Sequence, residues 1–267
     1  MARPRVIVFS GYGFNCEEET KYAFDIAGGI SDIVHVNDVI GGKFDLSKYQ
    51  IMALGGGFAY ADDTGAGNAY ANKMKNHLWE ELLKFIDKGK LIIGICNGFQ
   101  VLMNLGLVPA IDKKYGAREM GLMFNAIPRY TVRFIDLKVE SKKSPWYKGM
   151  KEFSIPVANG EGRLFAPKEV MKKINDHGLV GARYFKGEMS TYLNLPYNPN
   201  GSIEDIASIT DETGRIMGLM PHPERAMFFT QLPNWELLKE KYKKEEKEMP
   251  EFAPGLQIFK NGINYFK

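Results

Sequence analysis

Cys96 is one of two cysteines in a chain of 267 residues, and it stands within "LIIGICNGFQVLMN" (91–104). A run of apolar residues ends there, with Gly94 two positions before the thiol and Gly98 two after it. Gly94-Ile95-Cys96-Asn97-Gly98 has the form of a nucleophile elbow, a tight strand-to-helix turn that lifts a reactive atom out of a sheet. The glycines permit the turn and keep side chains clear of strand and substrate. A helix N-terminus behind the sulfur favours the thiolate. The backbone N–H of Asn97 would then point at a developing oxyanion. The plainer alternative is a small buried cysteine at a strand end.

A cysteine nucleophile needs a base and an acid that orients the base. Of the four histidines, His35 falls in a strand-like run, His77 on a charged helix and His177 in the turn "NDHG". His222 lies in "GLMPHPERA" (218–226), just past the strand-like "RIMGLM" (215–220), and so at the sheet edge where Cys96 belongs. Pro221 and Pro223 favour an extended path. Residues i and i+2 then point the same way, which sets Glu224 beside His222. An exposed histidine in a proline-rich exit turn is the alternative. Gly55-Gly56-Gly57-Phe58 follows the strand-like "IMAL" (51–54) and could supply a second oxyanion N–H by close backbone approach. A plain glycine turn is the other reading, since the stretch lacks both the Gly-Lys-Ser/Thr of a phosphate loop and the GxGxxG spacing. Cys16, in "NCEEE", precedes three acids that disfavour a thiolate, and it reads as structural.

These residues need elements to hold them. Mostly continuous apolar runs at 6–10, 32–37, 51–54 and 91–95 predict strands covered on both faces, as in a parallel sheet. Helical stripes follow: Ala23, Ile26 and Ala27, with Asn15 and Glu18 as a cap pair; Leu78, Leu82, Phe85 and Ile86, ended by Gly89; and Phe99, Leu102 and Met103. Alternating strands and helices predict a doubly wound α/β fold. Later runs at 131–140, 153–160, 179–185 and 206–210 read as strands with few helices between them, an antiparallel extension of the sheet. A helix is predicted at 234–248. With no repeat, linker or boundary in view, one domain over 1–267 is expected.

Bulk composition narrows the function classes. Hydrophobic residues are 45% and charged residues 25%, ordinary for a soluble globular protein. A net charge of +3, from 35 basic and 32 acidic residues, is too small to argue for nucleic acid. In "KEKYKKEEKE" (239–248) the two signs are mixed, as on a solvated helix face. Neither a CxxC nor a zinc spacing occurs, so no metal site is expected. "MARPRVIVFSG" lacks a signal-peptide core and no apolar run approaches a membrane span, which points to a reducing, cytoplasmic setting.

Taken together, the chain resembles the class I, triad-type glutamine amidotransferases. Their G-x-C-x-G-x-Q pattern is matched by Gly94, Cys96, Gly98 and Gln100, and their later H-x-E by His222 and Glu224. More narrowly, the chain is similar to the glutaminase components of phosphoribosylformylglycinamidine synthases in de novo purine synthesis. That likeness rests on "NCEEE", "GGGFAYADDTGAG" (55–67), "GICNGFQVLMNLGLVP" (94–109), "IPVANGEGRL" (155–164), "NPNGS" (198–202) and "GLMPHPERA". The resemblance implies a Rossmann- or flavodoxin-like, mostly parallel sheet with flanking helices and an antiparallel extension. It implies Cys96, His222 and Glu224 as the triad that cleaves glutamine through a γ-glutamyl thioester. Gly57 and Asn97 would form the oxyanion hole, with Phe58 able to replace Gly57. Gln100, Phe58, Asn159, Gly160 and Glu161 would line the glutamine site, although Asn159 stands where the family often has histidine, and "FAYADD" departs from the more usual "FSYGD". No cofactor is implied for the chain itself. ATP and magnesium are expected on a larger synthetase partner, which a small bridging protein would join as a further partner. Neither nucleic acid nor membrane is implied.

Three other readings stay open at this level. A cysteine hydrolase on the same core would also use an elbow cysteine, but needs neither Gln100 nor the His-Pro-Glu segment. A glutamine-binding regulatory module would typically lose a triad member. An amidotransferase of another pathway would share the triad.

Overall fold

The computed structural model describes residues 3–267. Eleven strands run β1 (Arg5–Ser10), β2 (Ile30–His35), β3 (Ile51–Leu54), β4 (Leu91–Ile95), β5 (Gly121–Met123), β6 (Thr131–Val139), β7 (Glu152–Asn159), β8 (Arg163–Phe165), β9 (Val180–Phe185), β10 (Ile206–Thr210) and β11 (Ile216–Leu219) among the described residues. Nine of them form one sheet in the order β2-β1-β3-β4-β11-β10-β9-β6-β7. The five from β2 to β11 pair in parallel, and the pairings from β11 through β7 are antiparallel. β3, β4 and β11 are buried at every position, as central strands covered on both faces must be. The expected architecture, a mostly parallel sheet with an antiparallel extension, is the one observed. β5 and β8 pair separately as a small antiparallel ribbon beside the main sheet.

Helices α1 (Glu17–Ile26), α2 (Val36–Ile40), α3 (Asn68–Asp87), α4 (Asn97–Asn104), α5 (Lys168–Asp176), α6 (Glu188–Leu193), α7 (Trp235–Lys244) and α8 (Gly255–Asn264) complete the chain. The step from β1 to β2 runs one way across the sheet and the step from β3 to β4 runs the other. With right-handed crossovers, that reversal puts α1 and α3 on opposite faces and opens a crevice at the strands' C-terminal ends. α1 packs with α8, and α3 packs with α4.

Several local expectations shift. The strand expected at 32–37 ends at His35, because that side chain accepts from Asn37 N–H and caps α2. The Asn15–Glu18 cap pair does not form; Cys16 occupies the N-cap of α1, without a side-chain cap bond. The charged helix expected over 234–248 is the shorter α7, and none of its residues is fully buried.

Candidate active site

β4 delivers Cys96 to the sheet's C-terminal edge, and α4 begins at the next residue. Cys96 adopts φ 52° and ψ −108°, the strained turn of a nucleophile elbow. Neighbouring strand ends pin this turn: Cys96 N–H donates to Leu219 O at 2.8 Å, and Gly98 N–H to Gly55 O at 3.0 Å. A Cβ on Gly94 would lie 2.5 Å from Gly98 O, and one on Gly98 would lie 2.0 Å from Leu54 O. Both glycines are therefore set by close backbone approach.

His222 arrives from the end of β11 and is fixed by its N–H donating to Pro156 O at 2.8 Å. Its Nδ1 pairs with Glu224 Oε1 at 2.5 Å, and both side chains are almost wholly buried. The i, i+2 contact is made by a 3₁₀ turn over Pro223–Arg225 rather than by continued extended chain. Burial by itself disfavours the imidazolium, but the charge of Glu224 and the nearby Cys96 outweigh it, so the pKa of His222 lies well above its ordinary value of 6.5. Nε2 of His222 has no hydrogen-bond partner among the described residues. Gly56 allows the ring its place, since a Cβ there would sit 2.6 Å from His222 Cε1.

Cys16 lies behind the same ring. Its sulfur accepts from Arg225 Nη2 at 3.0 Å. Burial pushes its thiol pKa up, consistent with a structural thiol. Its Sγ, a His222 ring nitrogen and a Glu224 oxygen lie within 4.8 Å of one another, as do donor atoms of Asp112, His177 and Glu212. In the first group Arg225 already holds the sulfur and Glu224 the imidazole. In the second, Glu212 Oε1 already meets His177 Nδ1 at 2.6 Å and accepts from Asp112 N–H at 3.2 Å. His35 packs against Tyr12, and His77 is exposed on α3.

A pocket of 210 Å³ opens over Cys96 between two loops. One loop contributes Gly57, Phe58, Ala61 and Asp62; the other contributes Asn159, Gly160 and Glu161. Phe58 N–H is bound to Gly13 O at 2.9 Å, whereas the N–H groups of Gly57 and Asn97 have no backbone acceptor among the described residues. Gly57 is thus the better donor of the two candidates in its loop. Gln100 bridges protein groups at both ends of its amide, accepting from Asn97 Nδ2 at 2.8 Å and donating to Glu161 O at 2.7 Å. Asn159 is buried, and neither polar atom of its side chain has a partner among the described residues.

Sequence reasoning missed Asp62, the side-chain contacts of Asn97, and Arg225. Burial raises the pKa of Asp62; burial and then the charge of Asp62 raise that of Glu161. The first acid of "YADD" (60–63), directly after the glycine loop, is the one available signal for Asp62. Tyr60, Ala61 and Asp62 are left-handed in succession, at φ 56°, 54° and 57°. Each such residue costs roughly 1–2 kcal/mol, so this loop holds considerable strain.

Comparison with known proteins identifies the family. The family model described as a CobB/CobQ-like glutamine amidotransferase domain matches residues 3–266. A Methanococcus maripaludis (strain C5) protein named phosphoribosylformylglycinamidine synthase subunit PurQ is 46% identical over 265 residues, covering 98% of each chain. A Dehalococcoides mccartyi protein of the same name is 37% identical, covering 99% of this chain and 98% of its own. The structure of PurLQS from Thermotoga maritima contains a chain that superposes with a TM-score of 0.72 at 27% identity, with full coverage of both chains. A second Thermotoga maritima structure, described as a glutamine amidotransferase, shares the fold, with a TM-score of 0.51 at 12% identity, covering 100% of this chain and 98% of its own. The chain belongs to the CobB/CobQ-like glutamine amidotransferase family, among its phosphoribosylformylglycinamidine synthase PurQ subunits.

Proposed function

We propose that the whole chain, 1–267, works as one glutaminase domain of a phosphoribosylformylglycinamidine synthase in purine biosynthesis. The observation that carries this is an elbow cysteine beside a buried His222–Glu224 pair, under a pocket walled by Gly57 and Glu161. Cys96 gives its thiol proton to His222 as Sγ attacks the side-chain amide carbon of glutamine. Gly57 and Asn97 N–H groups stabilise the oxyanion. The C–N bond breaks as His222 passes a proton to the leaving ammonia. His222 then takes a proton from water, which attacks the γ-glutamyl thioester; glutamate leaves and the thiol is restored. Glu224 keeps the ring oriented throughout.

Asp62 and Glu161 face the α-ammonium of glutamine in this reading, and the unpaired amide of Asn159 supplies hydrogen bonds beside them. Phe58 and Gly160 close the pocket walls, and Gln100 holds the Glu161 loop in place.

The thioester route uses protein groups alone, so ATP and magnesium belong to a synthetase partner that consumes the ammonia. Phe58 and Phe124 line the pocket and are exposed, and the exposed Tyr130 ring lies against Phe58. An apolar rim of that kind suits a docked protein, the synthetase or a small bridging subunit. Neither nucleic acid nor a membrane enters the reading. No helix among the described residues is long and apolar enough to cross a membrane.

The test is ammonia release from glutamine by the purified chain, with and without its synthetase subunits, beside Cys96→Ala. Release that the variant abolishes is expected. Glutamine binding without release in any combination would overturn the reading in favour of a regulatory module.

A further inference from the structure

The side-chain amide of Asn97 joins parts of the site that are far apart in sequence. Its Oδ1 accepts from Ala59 N–H at 2.9 Å. Its Nδ2 donates to Asp62 Oδ1 at 3.1 Å and to Gln100 Oε1 at 2.8 Å. Gln100 in turn donates to Glu161 O on the opposite pocket wall at 2.7 Å. Asn97 is wholly buried, and the contacts need one acceptor and two donors from a short side chain. Among the short side chains only the amide of asparagine offers that set.

Asn97 grips a strained segment. The contacts at Ala59 and Asp62 bracket Tyr60 and Ala61, and left-handed backbone runs from Tyr60 through Asp62. Such backbone persists only where its surroundings over-determine it. Gly57, the donor candidate with a free N–H, lies two residues before the gripped Ala59 N–H. We infer that the Asn97 side chain is a positioning residue, a latch that holds loop 57–62 on the elbow and keeps the Gly57 N–H aimed at the carbonyl attacked by Cys96. The latch aligns both oxyanion donors, because the same residue carries the second donor on its backbone. This inference rests on the glutaminase reading above.

The test compares Asn97→Leu, Asn97→Asp and Asn97→Asp/Asp62→Asn in the complex reconstituted with its synthetase subunits, with Cys96→Ala as control. Removing a single oxyanion donor costs about 10²–10³ in kcat, so a misaimed one in Asn97→Leu should cost about 10- to 100-fold. KM should rise by a smaller factor than kcat falls, because Asn97 also holds Asp62 and Gln100 in the glutamine site. Alkylation of Cys96 by iodoacetamide should keep its rate, since displacement of iodide develops no oxyanion. Asn97→Asp keeps the acceptor for Ala59 but turns a carboxylate on Asp62 and Gln100, and should be impaired at neutral pH. Adding Asp62→Asn returns a donor to that contact and should recover part of kcat at saturating glutamine, while loss of the Asp62 charge raises KM. A rise in KM at unchanged kcat would overturn the inference in favour of direct glutamine binding. Parallel loss of alkylation would reduce Asn97 to scaffold, and failure of the double variant to recover would show that the Asp62 contact holds nothing. Ammonia release by Cys96→Ala would overturn the glutaminase reading together with the inference.

Discussion

Replacing Gly98 with alanine tests the claim that close backbone contact places the nucleophile. The added Cβ would stand 2.0 Å from Leu54 O, 2.6 Å from Leu54 C and 2.9 Å from Leu54 Cβ. Two of these three are main-chain atoms of a fully buried central strand, so no flexible side chain can yield. Ordinary contact begins near 3.4 Å, so the elbow must recede from β3 by about 1.4 Å. That movement stretches the Gly98 N–H to Gly55 O bond, now 3.0 Å, and carries Cys96 and the Asn97 N–H away from Gly57. Overpacking of this kind costs about 1–3 kcal/mol. For a domain near this size that corresponds to a melting temperature lower by about 2–10 °C. A displacement of roughly 1 Å in a reacting group costs about 10²-fold in rate. Glutamine hydrolysis in the reconstituted complex should therefore fall about 100-fold or more, while a folded, cooperative melt persists. Gly121→Ala is the matched control, because a Cβ there meets nothing within 4 Å. Wild-type kcat in Gly98→Ala with an unchanged melting temperature would refute the elbow argument.

Glu224→Gln keeps the shape of the buried pair but removes the charge that favours the His222 imidazolium, and kcat should fall by about 10⁴, as for the corresponding change in serine proteases. The raised pKa of His222 fixes the sign of the linked stability: its contribution is full below the ordinary value of 6.5 and is lost as pH rises through the folded value. Melting temperatures should therefore decline toward alkaline pH more steeply in the wild type than in Glu224→Gln; equal slopes would deny the linkage. For the two thiols, native iodoacetamide treatment followed by peptide mass spectrometry should find Cys96 modified, with glutamine protecting it, and Cys16 intact, because Cys16 is wholly buried under Arg225. Equal labelling of Cys16 would remove the distinction drawn between them.

What was legible in the sequence shares one property: it is encoded locally. The elbow is five consecutive residues, the base and its acid are two apart, and the central strands announce themselves as short apolar runs. α8 escaped because it opens on Gly255 and carries Gly262 in its last turn, so "IFKNGINYF" (258–266) reads as a tail. The structure explains the glycine: a Cβ at 262 would sit 2.5 Å from the buried Trp146 ring, which this helix covers. The packing partner that justifies Gly262 lies more than a hundred residues away, beyond the reach of periodicity. The same holds inside the site. Arg225 and Cys16 meet across 209 residues, and Asn97 meets Ala59 across 38 and Asp62 across 35. A motif names the atoms that react, because the chemistry demands them at fixed short spacing. Groups that aim those atoms answer only to the fold, and any segment crossing the crevice can supply them. Asn97 belongs to both classes, with its backbone in the motif and its side chain in the fold, and so only half of its work could be read in advance.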